Sequence, residues 1–441
     1  MKGYAMSQKY VQDLVDQLNS PEMIDRLDAL KQLTEKLDEG IISRPAFGRD
    51  VNNHIHSQYS FSPYSPSKAV WMAYMAGLST AGIMDHDSIS GALEFTAAGQ
   101  IIGLPTTIGA ECRASFAATP LAGRRINNPD QDTVAYIAFH GVPHSQTKAL
   151  ERFFKPVAKA RGLRNRKMTK RLNALLAPAG LAVDYDKDVL PLSLAARGGS
   201  VTERHLLYAV AKKLIDRFGT SSDLVAFLSG PLNIKISDKM AAMLTDQKNP
   251  HQAYDLLGLL KSDLVEKFYL PATDECPPIA EAAAFARLHG IVLAYPYLGD
   301  ITSSITGDKK AQTFEDSYLD ELFEVIKLNG FNAVTYMPSR NTREQLIRLR
   351  SLCDKHGLFQ ISGEDINQPR QPFVCDAMRD PMFFNLFDAA WALIGHERLA
   401  SEQLAKGMFS SQTTDMIPGL TERIAYFRDA AMKLYEKDTN M

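Results

Sequence analysis

From Tyr10 to about Leu37, apolar residues return at steps of three and four: Val11, Leu14, Val15, Leu18, Ile24, Leu27, Leu30, Leu33 and Leu37. That is the period of a helix buried along one face, and the Ser20-Pro21 break predicts two such helices. After Arg49 the pattern changes to short β-prone runs that end in polar residues. Seven are read: 51–57 (VNNHIHS), 81–87 (AGIMDHD), 105–113 (PTTIGAECR), 133–141 (TVAYIAFHG), 290–296 (GIVLAYP), 331–340 (FNAVTYMPSR) and 358–365 (LFQISGED). Each is read as followed by a helical stretch, and strands alternating with helices predict an α/β fold whose parallel sheet closes into a barrel. A helical block without strand signals interrupts the alternation from about 146 to 278, and from 383 the chain is helical again. The predicted organisation is N-terminal packing helices at 1–48, a barrel built from 49–145 and 279–382, a helical insertion at 146–278, and C-terminal helices at 383–441. The insertion leaves the barrel after His140, the end of the fourth strand, and is therefore expected over the mouth.

Composition changes this picture little but excludes several classes. The 441 residues allow two to four domains, and 45% hydrophobic with 23% charged residues is ordinary globular composition, neither disordered nor disulfide-stapled. Forty-nine Lys and Arg against 51 Asp and Glu leave a net charge of −2, so no global field recruits nucleic acid or an anionic membrane. The charge is uneven, however. Residues 148–171 carry ten Lys or Arg and one Glu, a run that either clamps a polyanion over the mouth or forms an exposed helical face. Four cysteines, Cys112, Cys276, Cys353 and Cys375, lie far apart without a CxxC pair, as expected of reduced thiols in the cytoplasm. The N-terminus lacks an apolar secretion core and nowhere do 18 uncharged apolar residues run together, so a soluble, unexported chain with no membrane partner is expected.

The chemistry concentrates at the predicted strand ends. His54 and His56 are one residue apart in a strand, so both project from one face and can converge on one ion. The following strand ends add Asp85-His86-Asp87, Glu111, His140 and Glu364-Asp365, and in a parallel barrel all strand C-termini open onto one face. Four of the ten histidines fall at these ends, which favours a metal site over scattered core or surface imidazoles. Mixed imidazole and carboxylate ligands suit Zn²⁺, Mn²⁺ or Fe²⁺, unlike the oxygen sets of Ca²⁺ or the thiolate sets of structural zinc. A carboxylate such as Glu111 can bridge two ions that polarise a phosphoryl group and activate water, so metal-assisted hydrolysis is the expected reaction class. Asp85 and Asp87 are read as partners that fix imidazole tautomers, and His86 and Asp85 as the candidates for a catalytic role. Arg113 and Arg340 stand at strand ends where a guanidinium would hold a phosphate or form a rim ion pair.

In this order the residues resemble the polymerase and histidinol phosphatase (PHP) family of metal-dependent phosphoesterases. The resemblance rests on His54-x-His56, Asp85-His86-Asp87, Gly109-Ala110-Glu111, His140, Leu293-Ala294-Tyr295-Pro296 and Gly363-Glu364-Asp365, and spans about 51–367. The insertion resembles that of members hydrolysing nucleotides and short oligonucleotides from the 5′ end, through the Arg161 to Arg171 run, the stretch from Asn173 to Val183 and Thr202-Glu203-Arg204-His205. The stretch from Ala333 to Ser339 looks like the family's sixth strand. The resemblance implies a distorted seven-stranded (β/α) barrel of PHP type with a mainly helical insertion. It also implies metal ligands at His54, His56, His86, Glu111, His140 and Asp365, one or two divalent Zn, Mn or Fe ions, and a small phosphorylated substrate such as a nucleotide or short single-stranded oligonucleotide.

Three positions depart from the family pattern. Phe61 stands where the family has Asp, Tyr295 where it has His before Pro, and Asn367 where it ends Asp-x-His. His54, His56, Glu111 and Asp365 would complete a first ion site, His140 and Glu111 leave a second one ligand short, and His86 stands nearly alone at a third. Tyr295 and Asn367 can still serve as weak ligands, through a phenolate and an amide oxygen. Two alternatives stay open: a degenerate site that binds metal or nucleotide without turnover, and an amidohydrolase-type C–N hydrolase, which also starts with HxH. The latter expects a Lys at the fourth strand and two later strand-end His, where this chain offers His86 after the second.

Overall fold

The computed structural model describes residues 2–301 and 312–438. Seven strands form one sheet in sequence order: β1 (Val51–Ile55), β2 (Thr80–His86), β3 (Thr106–Ser115), β4 (Val134–His140), β5 (Val292–Pro296), β6 (Ala333–Tyr336) and β7 (Phe359–Ser362). The ring is closed by the chain just beyond β7. Ile366 donates its N–H to the carbonyl of His54 at 3.0 Å and accepts from the N–H of His56 at 2.9 Å, a parallel bridge to Ile55. Ile55 and Ile366 are fully buried in the outer apolar core. Strand alternation therefore turns His54, His56, Asp365 and Asn367 the other way, toward the barrel interior.

Helices surround this sheet. The N-terminal pair α1 (Lys2–Gln17) and α2 (Met23–Asp38) is followed by α3 (Pro66–Met75) and α4 (Ala92–Ile102), one after each of the first two strands. Arg26 of α2 donates from Nε to Glu94 Oε1 of α4 at 2.8 Å, a buried pair that also takes the hydroxyl of Ser67. The insertion contributes α5 (Thr147–Leu176), α6 (Glu203–Phe218), α7 (Ser222–Ser229), α8 (Asp238–Thr245) and α9 (Gln252–Phe268). The chain then runs through α10 (Ile279–Leu288), α11 (Leu319–Leu328), α12 (Arg343–His356), α13 (Asn385–Glu402), α14 (Ser411–Met416) and α15 (Leu420–Asp438). Outward strand residues such as Ile83, Ile108, Phe139 and Leu293 pack on the outer helices. Inward residues Met84, Ala138, Ala294 and Phe359 pack instead with Ala389, Ala392 and Leu393 of α13. That helix plugs the N-terminal end of the barrel, for its Glu397 accepts from Thr107 Oγ and the N–H of Ile108, both at 2.7 Å, where β3 begins.

The expected all-parallel sheet is corrected at β4, which runs antiparallel to both neighbours, with Glu111 opposite Ala138 and Ala138 opposite Ala294. The preceding connection, residues 116–133, all described, contains no helix of the kind that usually carries the crossover between parallel strands. The chain therefore leaves β4 at the plugged end, where His144 Nε2 lies 2.6 Å from Glu397 Oε1, and not at the mouth as the strand-end reasoning supposed. The 30 residues of α5 make the return; at 1.5 Å per residue that is roughly 45 Å, enough to climb past the barrel to its rim. The five insertion helices bury an apolar core of their own, into which one barrel residue reaches.

That residue is Phe61, 6% exposed, with its ring 4.9 Å from His205, 5.5 Å from Tyr208 and 5.9 Å from Tyr254. It is the apolar pin between barrel and insertion, so Phe61→Ala should cost about 3 kcal/mol, read as a lower urea midpoint. Leu328→Ala, at a side chain 84% exposed, should stay within about 0.5 kcal/mol of the parent.

Candidate metal centre and the cleft above it

Four short-range facts build the centre. β1 presents His54 and His56 inward, and Gly363 makes room for the first of them: a Cβ there would lie 2.6 Å from His54 Cβ. Parallel pairing sets His86 beside Glu111 in register. Glu111 Oε1 then lies 3.0 Å from His86 Nδ1, 3.4 Å from His56 Nε2 and 3.5 Å from His54 Nε2. The closing bridge brings Asp365 Oδ1 to 3.2 Å from His56 Nε2. His54, His56 and Glu111 each offer a donor atom within 4.8 Å of the others.

Two imidazoles and two carboxylates are in the state a cation requires, while at His54 burial is outweighed by the neighbouring Glu111 and Asp365, which push the ring above its ordinary value. Nε2 of His54, His56 and His140 and Nδ1 of His86 are buried without a hydrogen-bond partner among the described residues, and so is Oδ1 of Asn367. Orphaned buried polar atoms are costly, and four imidazole nitrogens left so around two carboxylates mark a place for an ion. Burial first, and the charge of a neighbouring imidazole in each case, hold His86 and His140 down to about 3, so both rings are neutral with a free lone pair. Burial would raise the Glu111 carboxyl, but the imidazoles of His86, His54 and His56 bring it down to about 2. Asp365 is likewise held well below the ordinary range, burial being outweighed by His56 and His54. Neutral imidazoles and ionised carboxylates are what divalent metal binding demands.

The surrounding residues sort into those that reach the centre and those that do not. Asp85 does not: it is 1% exposed, and its oxygens accept from the N–H and hydroxyl of Ser57 and the hydroxyl of Ser60 at 2.6 to 2.7 Å. Ser60 Oγ in turn lies 3.1 Å from His56 Nδ1. Asp85 is thus a positioning residue that orients His56 through Ser60, and the catalytic role read for it is corrected. Asp87 pairs with Arg161 of α5 and, among the described residues, meets no imidazole. His140 points inward at the level of Gly109, two residues deeper than Glu111, because β4 descends. Asn367 lines the cleft and donates its amide to Asp365.

Tyr295 is corrected outright. Ala294 on β5 faces inward, so Tyr295 faces outward, fully buried, with its hydroxyl on Glu315 Oε1 at 3.0 Å. It is no ligand position. Burial pushes Glu315 up to about 7, although the N–H of Leu298 and the Tyr295 hydroxyl both donate to it.

Above the centre a cleft is walled by His56, His86, Arg113 and Tyr136 of the barrel and by Arg161, Glu203, Arg204 and Lys261 of the insertion. Arg113 is not free to hold a phosphate by both edges: it is bound to Glu275 at 3.2 Å and Glu203 at 3.1 Å. Arg164 meets the same two acids at 2.7 and 2.6 Å, and Arg161 joins Glu203 to Asp87. Arg340 lies outside the cleft lining, half-buried, with Nε on the carbonyl of Leu298 at 3.0 Å and no carboxylate within ion-pair distance among the described residues. The basic run divides accordingly: Arg161 and Arg164 are buried in this network while Lys155, Lys159, Arg166, Lys167 and Lys170 face solvent. Sequence reasoning missed Ser57, Ser60 and Lys261. The serines were legible as hydroxyls directly after the HxH strand, but Lys261 carried no local signal at all.

No protein-family model and no curated protein matches the chain. Among solved structures, it is similar to a protein of Bifidobacterium adolescentis assigned as a metal-dependent phosphoesterase, at 20% identity over 77% of this chain and 96% of that one, with a TM-score of 0.48. It is also similar to an amidohydrolase from Chromobacterium violaceum with bound sulfate and no metal, at 17% identity over 74% of this chain and 90% of that one, with a TM-score of 0.48.

Elemental analysis of protein reloaded with Mn²⁺, Zn²⁺ or Fe²⁺ should find about one tightly held equivalent, lost in His54→Ala and Asp365→Ala and kept in Tyr295→Phe. Ser60→Ala should weaken metal affinity by about 10- to 100-fold, as removal of an orienting partner does. Glu315 supplies a pH test. Its folded value of about 7 lies above the ordinary 4.5, so its contribution is full below the unfolded value and lost as pH rises through the folded one, on the order of 3 kcal/mol. Between about pH 5 and 7.5 the parent should lose stability relative to Glu315→Gln, measured by denaturation at each pH.

Proposed function

We propose that the chain is a metal-dependent hydrolase of phosphate esters, with a nucleotide or short oligonucleotide as substrate, working in the cytoplasm. Its main support is the set of unpartnered imidazole nitrogens converging on Glu111 and Asp365 at the floor of a cationic cleft. Four cysteines that are all buried free thiols fit a reducing compartment. Among the described residues no helix is long and apolar enough to cross a membrane.

His54, His56, Glu111 and Asp365 are the residues that would hold a first ion, with His86 and His140 offering nitrogens to a second. When bound, such an ion supplies a Lewis acid for a phosphoryl oxygen and a water of lowered pKa. The chain's own groups then have separate tasks. Asp85 and Ser60 fix the His56 ring. His86, neutral and open to the cleft, serves as a ligand and not as a proton donor, because it stays unprotonated near pH 7. Of the two arginines expected to hold phosphate, Arg340 has no carboxylate at ion-pair distance among the described residues and, although outside the cleft lining, would be the one left to balance charge on phosphoryl oxygens. The insertion narrows access of water to the floor.

A second reading, a barrel that binds metal or nucleotide without turnover, is favoured by one observation: Phe61 is an apolar side chain packed into the insertion core and Tyr295 faces outward, so neither adds a ligand. The two readings part in one assay. Metal-loaded protein should cleave bis(p-nitrophenyl) phosphate or a dinucleotide, with kcat/KM about 1,000-fold lower in His54→Ala. A folded, fully loaded chain that cleaves no phosphate ester would be a binding protein.

A further inference from the structure

The outer face of α5 carries charge that the cleft does not use. Lys148, Arg152, Lys155, Lys159, Arg166 and Lys170 follow one another at steps of four, three, four, seven and four residues, each close to whole turns of a helix, so they form a single row. All six are exposed, and the row lies opposite the face that seats Phe154 on the barrel and Arg161 in the ion-pair network. It spans about 33 Å. Because α5 starts at the plugged end of the barrel and climbs to the rim, the row runs up the outside wall. Arg166 is paired with Asp186 at 2.6 Å, and no carboxylate lies at ion-pair distance from the other five among the described residues. Glu151 is the single acid in the helix.

Like charges three and four apart on one helix face repel, and here the repulsion is held in place by a helix whose opposite side is packed against the barrel. A chain of anions relieves it. Steps of three and four residues set the cations about 5–6 Å apart, close to the interval between successive phosphates of an extended nucleic-acid strand. A duplex presents two phosphate rows across a groove, of which a single row of cations grips one. A bilayer gains little from this face, because Leu163 is the one large apolar side chain exposed along it and an interfacial helix needs an apolar side to bury. We infer that the outer face of α5 is a docking track for the phosphate backbone of a single-stranded nucleic acid, running up the outside of the barrel toward the rim. The face has no exposed aromatic ring on which a base could stack, so binding is through phosphates, indifferent to sequence and weakened by salt. This surface is separate from the cleft and does not rest on the phosphoesterase reading.

The test is fluorescence anisotropy of a labelled oligouridylate, about twenty nucleotides long, titrated with the full-length chain freed of metal so that hydrolysis plays no part, over a series of KCl concentrations. The parent should bind, with log K falling by about 3.5 per tenfold rise in salt, as five phosphate contacts at roughly 0.7 each require. The double variant Lys155→Gln, Lys159→Gln should bind at least tenfold more weakly, with that slope shallower by about 1.4, while its thermal midpoint stays parental. Lys327→Gln, at an exposed lysine of α11, should bind as the parent does. An RNA duplex of the same length should bind more weakly than the single strand, and vesicles of phosphatidylserine and phosphatidylcholine should not sediment the chain. A parent that leaves the anisotropy of the probe unchanged at low salt, or a double variant that binds with parental affinity and slope, would overturn the track. Tighter binding of the duplex would overturn the single-strand assignment, and sedimentation with vesicles without binding of oligouridylate would give the face to a membrane instead.

Discussion

Everything at the floor of this molecule depends on how the barrel closes. The ring is sealed by the strip that carries Asp365 and Asn367, bonded through Ile366 to the carbonyl of His54 and the N–H of His56. Two backbone hydrogen bonds therefore set a carboxylate from near residue 365 against imidazoles from near residue 55 with the precision of strand register. A one-residue slip would put Asp365 in the outer apolar core and Ile366 in the centre. Register here is held by burial on both sides: Ile55 and Ile366 outward, the imidazoles of His54 and His56 and the amide of Asn367 inward. Fold and chemistry are enforced by the same alternation.

The second constraint is electrostatic. Three arginines and three acids tie the barrel to the insertion, and each alone would be expensive to bury. Their balance makes the network tolerable, and it places Arg161 against Asp87, the residue that follows His86. Asp87 adopts a φ of 51°, a left-handed conformation unusual for a residue other than glycine. Its N–H bonds to the carbonyl of Glu111 at 2.8 Å and its carboxylate to Arg161. The turn that aims His86 is thus held by both parts of the protein.

Much of this was legible in the chain. The strands begin within two residues of where the β-prone runs begin, because short apolar runs punctuated by polar strand ends leave little freedom in where a buried strand starts. His54, His56, Glu111 and Asp365 were readable together for the same reason. What escaped was non-local. The descent of β4 was signalled only by the missing helix between 116 and 133, and the direction of Tyr295 follows from the parity of Ala294, which needs the register before it can be used. The saturation of Arg113 could not be read, because its partners Glu203 and Glu275 lie 90 and 162 residues away. Phe61 read as a lost ligand position and is instead an anchor for the insertion.

The long climb of α5 has a consequence for traffic. The helix is seated against the barrel wall through Phe153 and Phe154, whose rings meet Phe139 and Phe285 at 4.5 to 6.0 Å, and at the rim it is bolted by Arg161. To swing aside, the helical block would have to part several buried ion pairs at once and pull Phe61 from between Tyr208 and Tyr254. The helical block is therefore a fixed wall of the cleft, and exchange with the floor is paced by diffusion past it and not by the opening of a door.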